Sequence, residues 1–352
     1  MTTQLEQSRQ IDKSCAVERA SVEALDDVLG WAFPILDHGF LRVVDYMGCD
    51  ASIVQAARVS YGRGTKSISD DRGLIRYMIS HHHNTPVEQC EIKFHMKLPI
   101  FVARQMIRHR TTSVNELSAR YSILDNEFYV PDPQHIQPQA TDNKQGRSGE
   151  LTLEQSAAVM DLLKRDANRS YHDYEVLLNE RHYQTPTSLG EEDPERIPEP
   201  DDRLVDDPEF PGIARELARM NLTLNVYTQW YWKTNLHNLF HFLGLRADSH
   251  AQYEIRVYAE KMLDIVKLWV PFAAEAFEDY QHQAKTLSRM DISLVKDLIT
   301  DVSGTTRRLV VAAAYHNDSS AFESLMQKYG NSKREIRELA VTFIPQPDSV
   351  DP

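Results

Sequence analysis

No run of apolar residues in this chain approaches the ~20 consecutive positions that a membrane-spanning helix needs. The opening stretch MTTQLEQSRQIDKSCAVERA is polar and has no apolar centre, so a secretory leader is not expected. Cysteine is scarce. Cys15, Cys49 and Cys90 are three in number and widely spaced, which argues against a disulfide framework and for a reducing, cytoplasmic setting. Basic charge is in deficit too, with 39 Lys and Arg against 52 Asp and Glu and a formal net charge of -13. A protein that neutralises phosphates along a nucleic acid normally carries a basic surplus, so neither nucleic acid nor membrane is an expected partner. What remains is ordinary globular material, 41% hydrophobic and 26% charged over 352 residues, longer than one average domain.

Against this acidic background one stretch stands out, Arg108 to Tyr121, RHRTTSVNELSARY. It gathers Arg108, Arg110 and Arg120 beside Glu116, with few apolar residues among them. Arginine keeps its proton in proteins and offers a rigid fork of donors suited to phosphate and carboxylate oxygens. A solvated charged turn would have a similar composition. The preceding PIFVARQMI (Pro99 to Ile107), however, is apolar enough for a core helix, so the polar run leaves the interior directly. A small anionic ligand fits these cations better than a long polyanion does.

Along the chain, Val22 to Phe33 predicts a short helix ahead of Pro34, and FLRVVDYM (Phe40 to Met47) a strand. Asp50 is placed to cap a helix through ASIVQAARVS that ends near Ser60-Tyr61-Gly62. Asp70 or Asp71 is placed to cap another through LIRYMISH. Thr85-Pro86-Val87-Glu88 fits a capping box, with proline in the first turn. EIKFHMKL alternates, with Ile92, Phe94, Met96 and Leu98 on one face, the mark of a half-buried strand. Pro99 then sits in the first turn of a helix on which Gln105 and Arg108, three apart, share a face. SILDNEFYVPDPQHIQPQ is loop-like, and DNKQGRSG (142 to 149) has linker composition. Val159, Leu163, Ala167, Tyr171, Tyr174 and Leu178 repeat at threes and fours and predict a long amphipathic helix.

Residues 185–211 differ in kind. Glu191 to Glu209 holds ten acidic and two basic residues with several prolines, and is expected to be a mobile surface loop. IARELARMNL is helical and presents Arg219. TLNVYTQWYW alternates again, placing Leu224, Val226, Thr228, Trp230 and Trp232 on one side. Asn235 is set to cap a helix with an apolar stripe of Leu236, Leu239, Phe240 and Leu243, ahead of Arg246. Ser249 is set to cap the next, Tyr253 to Val270, which Pro271 ends. From Ser288 the chain is helical again, with Ser332-Lys333-Arg334-Glu335 as another capping box.

Histidines raise the question of metal. His81 to His83 are consecutive, and neighbours on a helix diverge by about a hundred degrees, so they cannot converge on one ion. His237 and His241 have the H-x-x-x-H spacing of a helical zinc pair, but Asn238 stands where a zincin carries its glutamate and no third ligand is evident. Zinc ligands, surface or packing histidines, and cofactor contacts all remain open for this pair. No His or Asp arrangement around Ser118 announces an activated nucleophile, and Cys49 and Cys90 read as structural.

The nine fixed residues Arg108, His109, Arg110, Ser113, Asn115, Glu116, Ser118, Arg120 and Tyr121 match the pattern RHRxxSxNExSxRY, and the chain thereby resembles the flavin-dependent thymidylate synthases. The resemblance extends from about Gly39 to about Tyr280. It implies an α+β fold with a central mixed or antiparallel sheet flanked by long helices, assembled as a homotetramer with active sites at subunit interfaces. It implies a catalytic domain over 37–285 containing the acidic insertion, an N-terminal extension over 1–36 and a helical C-terminal extension over 286–352. The implied activity is reductive methylation of dUMP to dTMP, with 5,10-methylenetetrahydrofolate as one-carbon donor and NADPH reducing bound FAD.

On the same resemblance, Arg246 matches the catalytic residue whose cation activates the pyrimidine. Gln105, Met106, Ile107, Arg108, Glu116, Leu117, Ser118, Ala119, Arg120, Arg219 and Arg246 match nucleotide-binding positions. Ser60, Thr85, Glu88, Arg108, His109, Arg110, Glu116, Asn235, His237 and His241 match positions that line the flavin, with His83 supporting them. No metal is implied. A metal-dependent hydrolase built on the histidines and a nucleotide-binding module without chemistry are the competing readings; bound flavin, bound zinc or neither would separate the three.

Overall fold

The computed structural model describes residues 20–59, 68–141, 146–179, 202–205, 207–331 and 333–344, the side chains of 68–70, 202 and 203 aside. The chain divides into two units, Met1–Gln283 and Ala284–Pro352. The first is built on a five-stranded antiparallel sheet of order β1-β2-β3-β5-β4. Its strands are β1 (Phe33–Ile35), β2 (Gly39–Met47), β3 (Glu91–Pro99), β4 (Ser113–Glu116) and β5 (Tyr227–Asn235).

The alternation that predicted β3 reappears as burial. Ile92, Phe94, Met96 and Leu98 are all buried, and the residues between them are partly open. Opposite them in register, Leu41 and Val43 of β2 and Trp230 and Trp232 of β5 point to the same interior. That face joins one core with the helices Leu236–Arg246, Tyr253–Trp269 and Pro271–Phe277. β2 opens on Gly39, directly after the turn from β1 and paired with Ile35. A Cβ there would lie 2.6 Å from the Ile35 carbonyl oxygen and 2.8 Å from that of Lys97, so only glycine fits. The long helix Leu153–Leu178 opens on a capping box of Thr152 and Gln155 and buries Ala167, Tyr171 and Tyr174. These pack with Leu124, Phe128, Ala218 and Val226 in a second, smaller core.

Several local expectations are overturned, some of them by a tertiary partner. Val22 to Phe33 is not one helix. Only Glu23–Asp26 is helical, and Phe33-Pro34-Ile35 form β1, an edge strand where a missing N–H is harmless. Asp50 does not cap its own helix, Asp50–Val59. Its carboxylate accepts from the N–H groups of Phe272 (2.8 Å) and Ala273 (3.1 Å), the opening turn of the helix that follows Pro271. The helix read from Asp70 or Asp71 starts earlier, Ile68–Ser80, and Asp71 accepts from Arg58 Nη2 at 2.6 Å. Thr85 forms no capping box, because only a single 3₁₀ turn, Val87–Gln89, follows it and no side chain caps that turn. Pro99 ends β3 rather than opening the next helix, Ile100–Met106. Leu224 is 66% exposed, since β5 begins only at Tyr227. Ser249 caps nothing; the helix Tyr253–Trp269 has Gln252 at its N-cap and no side-chain cap. Asn235 does cap its helix, with Oδ1 accepting from Asn238 N at 2.9 Å.

The second unit contains the helices Arg289–Thr300, Thr305–Tyr315, Ser319–Tyr329 and Lys333–Phe343 around Leu294, Val310, Phe322, Leu325, Ile336 and Leu339. Ser288 and Asp291 form a capping box there, whereas Ser332 of the other expected box lies outside the described residues. So do the turn at Ser60-Tyr61-Gly62 and most of the acidic insertion, 185–201 and Asp206. Among the described residues no helix is long and apolar enough to cross a membrane.

Candidate active site

The arginine-rich stretch leaves the core at the C-terminus of the helix Ile100–Met106, where Val102, Ala103 and Met106 are buried. Arg108 therefore lies beyond the helix rather than on one face with Gln105. A tight turn brings Arg108 N to Gln105 O (3.3 Å) and His109 N to Met106 O (3.0 Å). Thr234 Oγ1 then donates to Thr111 O (3.3 Å), and Ser113 to Glu116 add to the sheet edge as β4, registered against Lys233 to Trp230 of β5. Val114 packs on the core while Ser113, Asn115 and Glu116 stay exposed. The backbone pairing of β4 with β5 thus fastens this part of the stretch to the sheet edge.

Glu116, Leu117 and Ala119 from this edge meet Arg219, Leu222 and Thr228 around a cleft of about 340 Å³. The buried Thr228 donates its hydroxyl to Glu116 Oε1 at 2.9 Å, which fixes that carboxylate at the rim. Arg120 is paired to Glu216 at 3.3 Å, both well exposed, and Ser118 Oγ accepts from Arg120 N (3.3 Å). Arg219 donates from Nε to the Glu216 carbonyl (3.3 Å). Arg108 and Arg110 are exposed and make no ion pair among the described residues. Arg219, which lines the cleft and makes no ion pair among the described residues, suits an anionic ligand through charge-assisted hydrogen bonds.

Arg246, the last residue of the helix Leu236–Arg246, donates from Nε to His109 Nε2 at 3.2 Å. His109 must then be neutral, with its proton on Nδ1. Burial, then the Arg246 cation and then His241, push its pKa down to about 4. Burial also draws Arg246 below the usual guanidinium value, but an arginine remains a cation. Because the folded pKa lies below the free value near 6.5, the neutral imidazole and its bond to Arg246 persist through neutral pH. Both, with the stability they add, are lost as pH falls toward 4. An NMR titration should find the His109 ring titrating far below the free value, and Arg246→Ala should move it upward. A pKa near 6.5 in the unaltered protein would contradict this arrangement.

His241 lies 5.9 Å from His109, ring to ring, and is exposed; His237 is half-buried. Among the described residues no group of three or more metal-binding side chains comes together. Asn235 spends its side chain on the helix cap. Gln105 donates from Nε2 to Gln252 Oε1. Met106 is buried and Ile107 exposed.

Thr85 and His83 line a second cleft, of about 680 Å³, with Tyr77, Asn84, Met78 and Ala57. The three histidines lie past the end of the helix Ile68–Ser80 rather than on it: Tyr77 stacks on His81 (4.2 Å) and meets His83 edge-on (5.7 Å), the two imidazoles lie 6.3 Å apart, and His82 takes a left-handed backbone (φ 58°). Aromatic and apolar walls suit a flat ring system, and hydroxyl, amide and imidazole groups suit a ribose or phosphate, so the donor set fits a flavin nucleotide. Glu88, half-buried, stands in the adjoining 3₁₀ turn. Val59 lines this cleft and Ser60 lies outside the described residues. The two clefts share no lining residue, so one chain does not gather all the expected positions around one cavity. Thr228 carried no functional signal in the sequence, where it was one more member of an alternating buried face; its role follows only from the β4–β5 register.

Comparison with known proteins finds relatives of this chain by sequence and by fold. The sequence matches the family described as thymidylate synthase complementing protein over residues 42–272. It is 55% identical over 300 residues to the flavin-dependent thymidylate synthase of Rickettsia bellii (strain RML369-C), covering 83% of this chain and 96% of that protein. It is also 55% identical to the enzyme of the same name from Gluconobacter oxydans (strain 621H), over 82% of this chain and 88% of the other. Among solved structures, a UMP/dUMP methylase, PolB, from Streptomyces cacaoi bound with 5-Br dUMP aligns with a TM-score of 0.56 and 28% identity. That alignment covers 71% of this chain and 99% of that one.

Proposed function

The chain belongs to the flavin-dependent thymidylate synthases, and from that premise we propose how its own residues serve the reaction. The enzyme methylates dUMP to dTMP and depends on a flavin. In the finer reading the flavin is FAD, 5,10-methylenetetrahydrofolate is the one-carbon donor, NADPH is the reductant, and a cytoplasmic homotetramer forms its sites at subunit junctions.

Glu116, Leu117, Ala119 and Arg219 hold dUMP in the smaller cleft, with Ser118, Arg120 and Arg108 at its edge and Gln105, Met106 and Ile107 approaching from the preceding helix. The observation that carries this reading is that segments a hundred residues apart, the 108–121 stretch and Arg219, line one cavity of nucleotide size. Thr85, His83 and Ser60 hold the flavin from the larger cleft, with Glu88 behind them. His109, Arg110, Asn235, His237 and His241 meet it from the other side. When bound, the flavin supplies the hydride chemistry.

The protein's part is electrostatic. Arg246 places a permanent cation, half-removed from water, where the pyrimidine becomes electron-rich on losing its N3 proton. His109 accepts from Arg246 Nε and so aims the remaining guanidinium donors outward. Thr228 steadies the Glu116 carboxylate. Purified protein is expected to show flavin absorbance, and to lose dTMP formation when stripped of flavin and regain it on reloading with FAD. Undiminished methylation by the flavin-free protein would end this reading.

A further inference from the structure

A polar relay reaches the nucleotide side of the site from residues outside it. Its fixed end is Glu254, in the first turn of the helix Tyr253–Trp269 and only 3% exposed. Its carboxyl accepts from Tyr129 Oη (3.2 Å), from Arg147 Nη2 and from Gln252 Nε2 (2.7 Å). Burial pushes its pKa up, but the hydrogen bonds from Arg147 and Gln252 outweigh burial and leave it below the usual carboxylate value. Arg147 is held in turn by the His135 carbonyl at 2.8 Å.

A carboxylate can only accept. Gln252 must therefore turn its amide nitrogen toward Glu254, which leaves its carbonyl oxygen facing the other way. That oxygen takes the hydrogen bond from Gln105 Nε2. Gln105 in turn has its nitrogen end committed, and its own carbonyl oxygen is directed away from Gln252. The orientation of two glutamine amides, which nothing local decides, is dictated in sequence by one buried charge.

We propose that Gln252 is a positioning residue for dUMP: held by the Glu254–Arg147 pair, it fixes the Gln105 carboxamide so that an acceptor oxygen meets the nucleotide. A hydrogen-bond donor on the ligand, the pyrimidine N3–H or a ribose hydroxyl, is the group such an oxygen recognises. The proposal rests on the assignment of Gln105 as a nucleotide contact. Gln252 is half-buried, and its replacement is expected to leave the Glu254–Arg147 pair in place, since that pair does not pass through it.

The test is steady-state kinetics of the full-length, flavin-loaded enzyme carrying Gln252→Met, Gln105→Ala, or both, with flavin content and melting temperature measured alongside. Gln252→Met is expected to raise the KM for dUMP about tenfold, the weight of one hydrogen bond, while kcat, flavin content and melting temperature stay near those of the parent. Because Gln252 acts only through Gln105, the double variant should be no worse than Gln105→Ala alone. An unchanged KM in Gln252→Met, or additive losses in the double variant, overturns the relay while the Gln105 contact stands. An unchanged KM in Gln105→Ala removes the contact itself and the relay with it.

Discussion

Arg246→Ala is expected to slow dTMP formation by ten- to a hundredfold or more, the loss of a charge-assisted hydrogen bond worth about 1.5–3 kcal/mol. Two features of its setting push the effect toward the upper end. Burial has already removed part of the water that would screen its charge, as the downward pull on its pKa records. Its orientation is also prepaid by the bond to His109 Nε2, so little reorganisation accompanies reaction. Lysine should rescue only in part, because a point charge cannot both bond His109 and present a fork to the pyrimidine. Single-turnover measurement of dTMP formation with bound flavin isolates the effect from cofactor loading. Near-normal turnover by the alanine variant would take the catalytic role away from Arg246.

Trp232→Ala should destabilise the first unit by about 3–5 kcal/mol, the range for truncating a fully buried aromatic side chain. Trp232 lies on β5 between Phe94 of β3 and Val114 of β4, and its rings meet Phe94 at 6.2 Å and Phe242 at 5.5 Å. Among the described residues its buried indole nitrogen has no hydrogen-bond partner. Truncation therefore loses packing and opens a cavity, but costs no hydrogen bond. Trp232→Phe should accordingly be far milder. Thermal melts would show the alanine variant falling by roughly 10 °C or more. Glu116 and Thr228, which depend on β5 for their register, should lose nucleotide affinity in step. A melting temperature within a degree or two of the parent would show that the sheet does not rest on this side chain.

The two strands that form the middle of the site's sheet, β3 and β5, are plain in the sequence, because one face of each is buried and the alternation of side chains must show it. β4 is not. Ser113, Asn115 and Glu116 are polar and exposed, only Val114 turns inward, and four residues carry no period to read. Caps divide the same way. Asn235 caps the residues immediately after it, whereas Asp50 spends its carboxylate on N–H groups 222 and 223 positions away. Both are acceptors ahead of a helical pattern, and nothing local distinguishes them. The proposed site residues divide more cleanly. Nine fixed positions in fourteen announced the chemistry, while Thr228, Gln252 and Glu254 announced nothing, since a buried threonine and an ordinary helix start look alike with or without a partner.

What the amino-acid order determined by itself is the chemistry on offer. Cations that cannot be neutralised are concentrated in an acidic chain, directly after an apolar helix, in a pattern shared with enzymes that act on a nucleotide. What the tertiary structure alone decided is where each of those groups points: Arg246 onto His109, Glu116 onto Thr228, Gln105 onto Gln252. The physical reason is that residue type is a local property, whereas the partner of a donor or acceptor is set by segments that meet only after the sheet has closed its core.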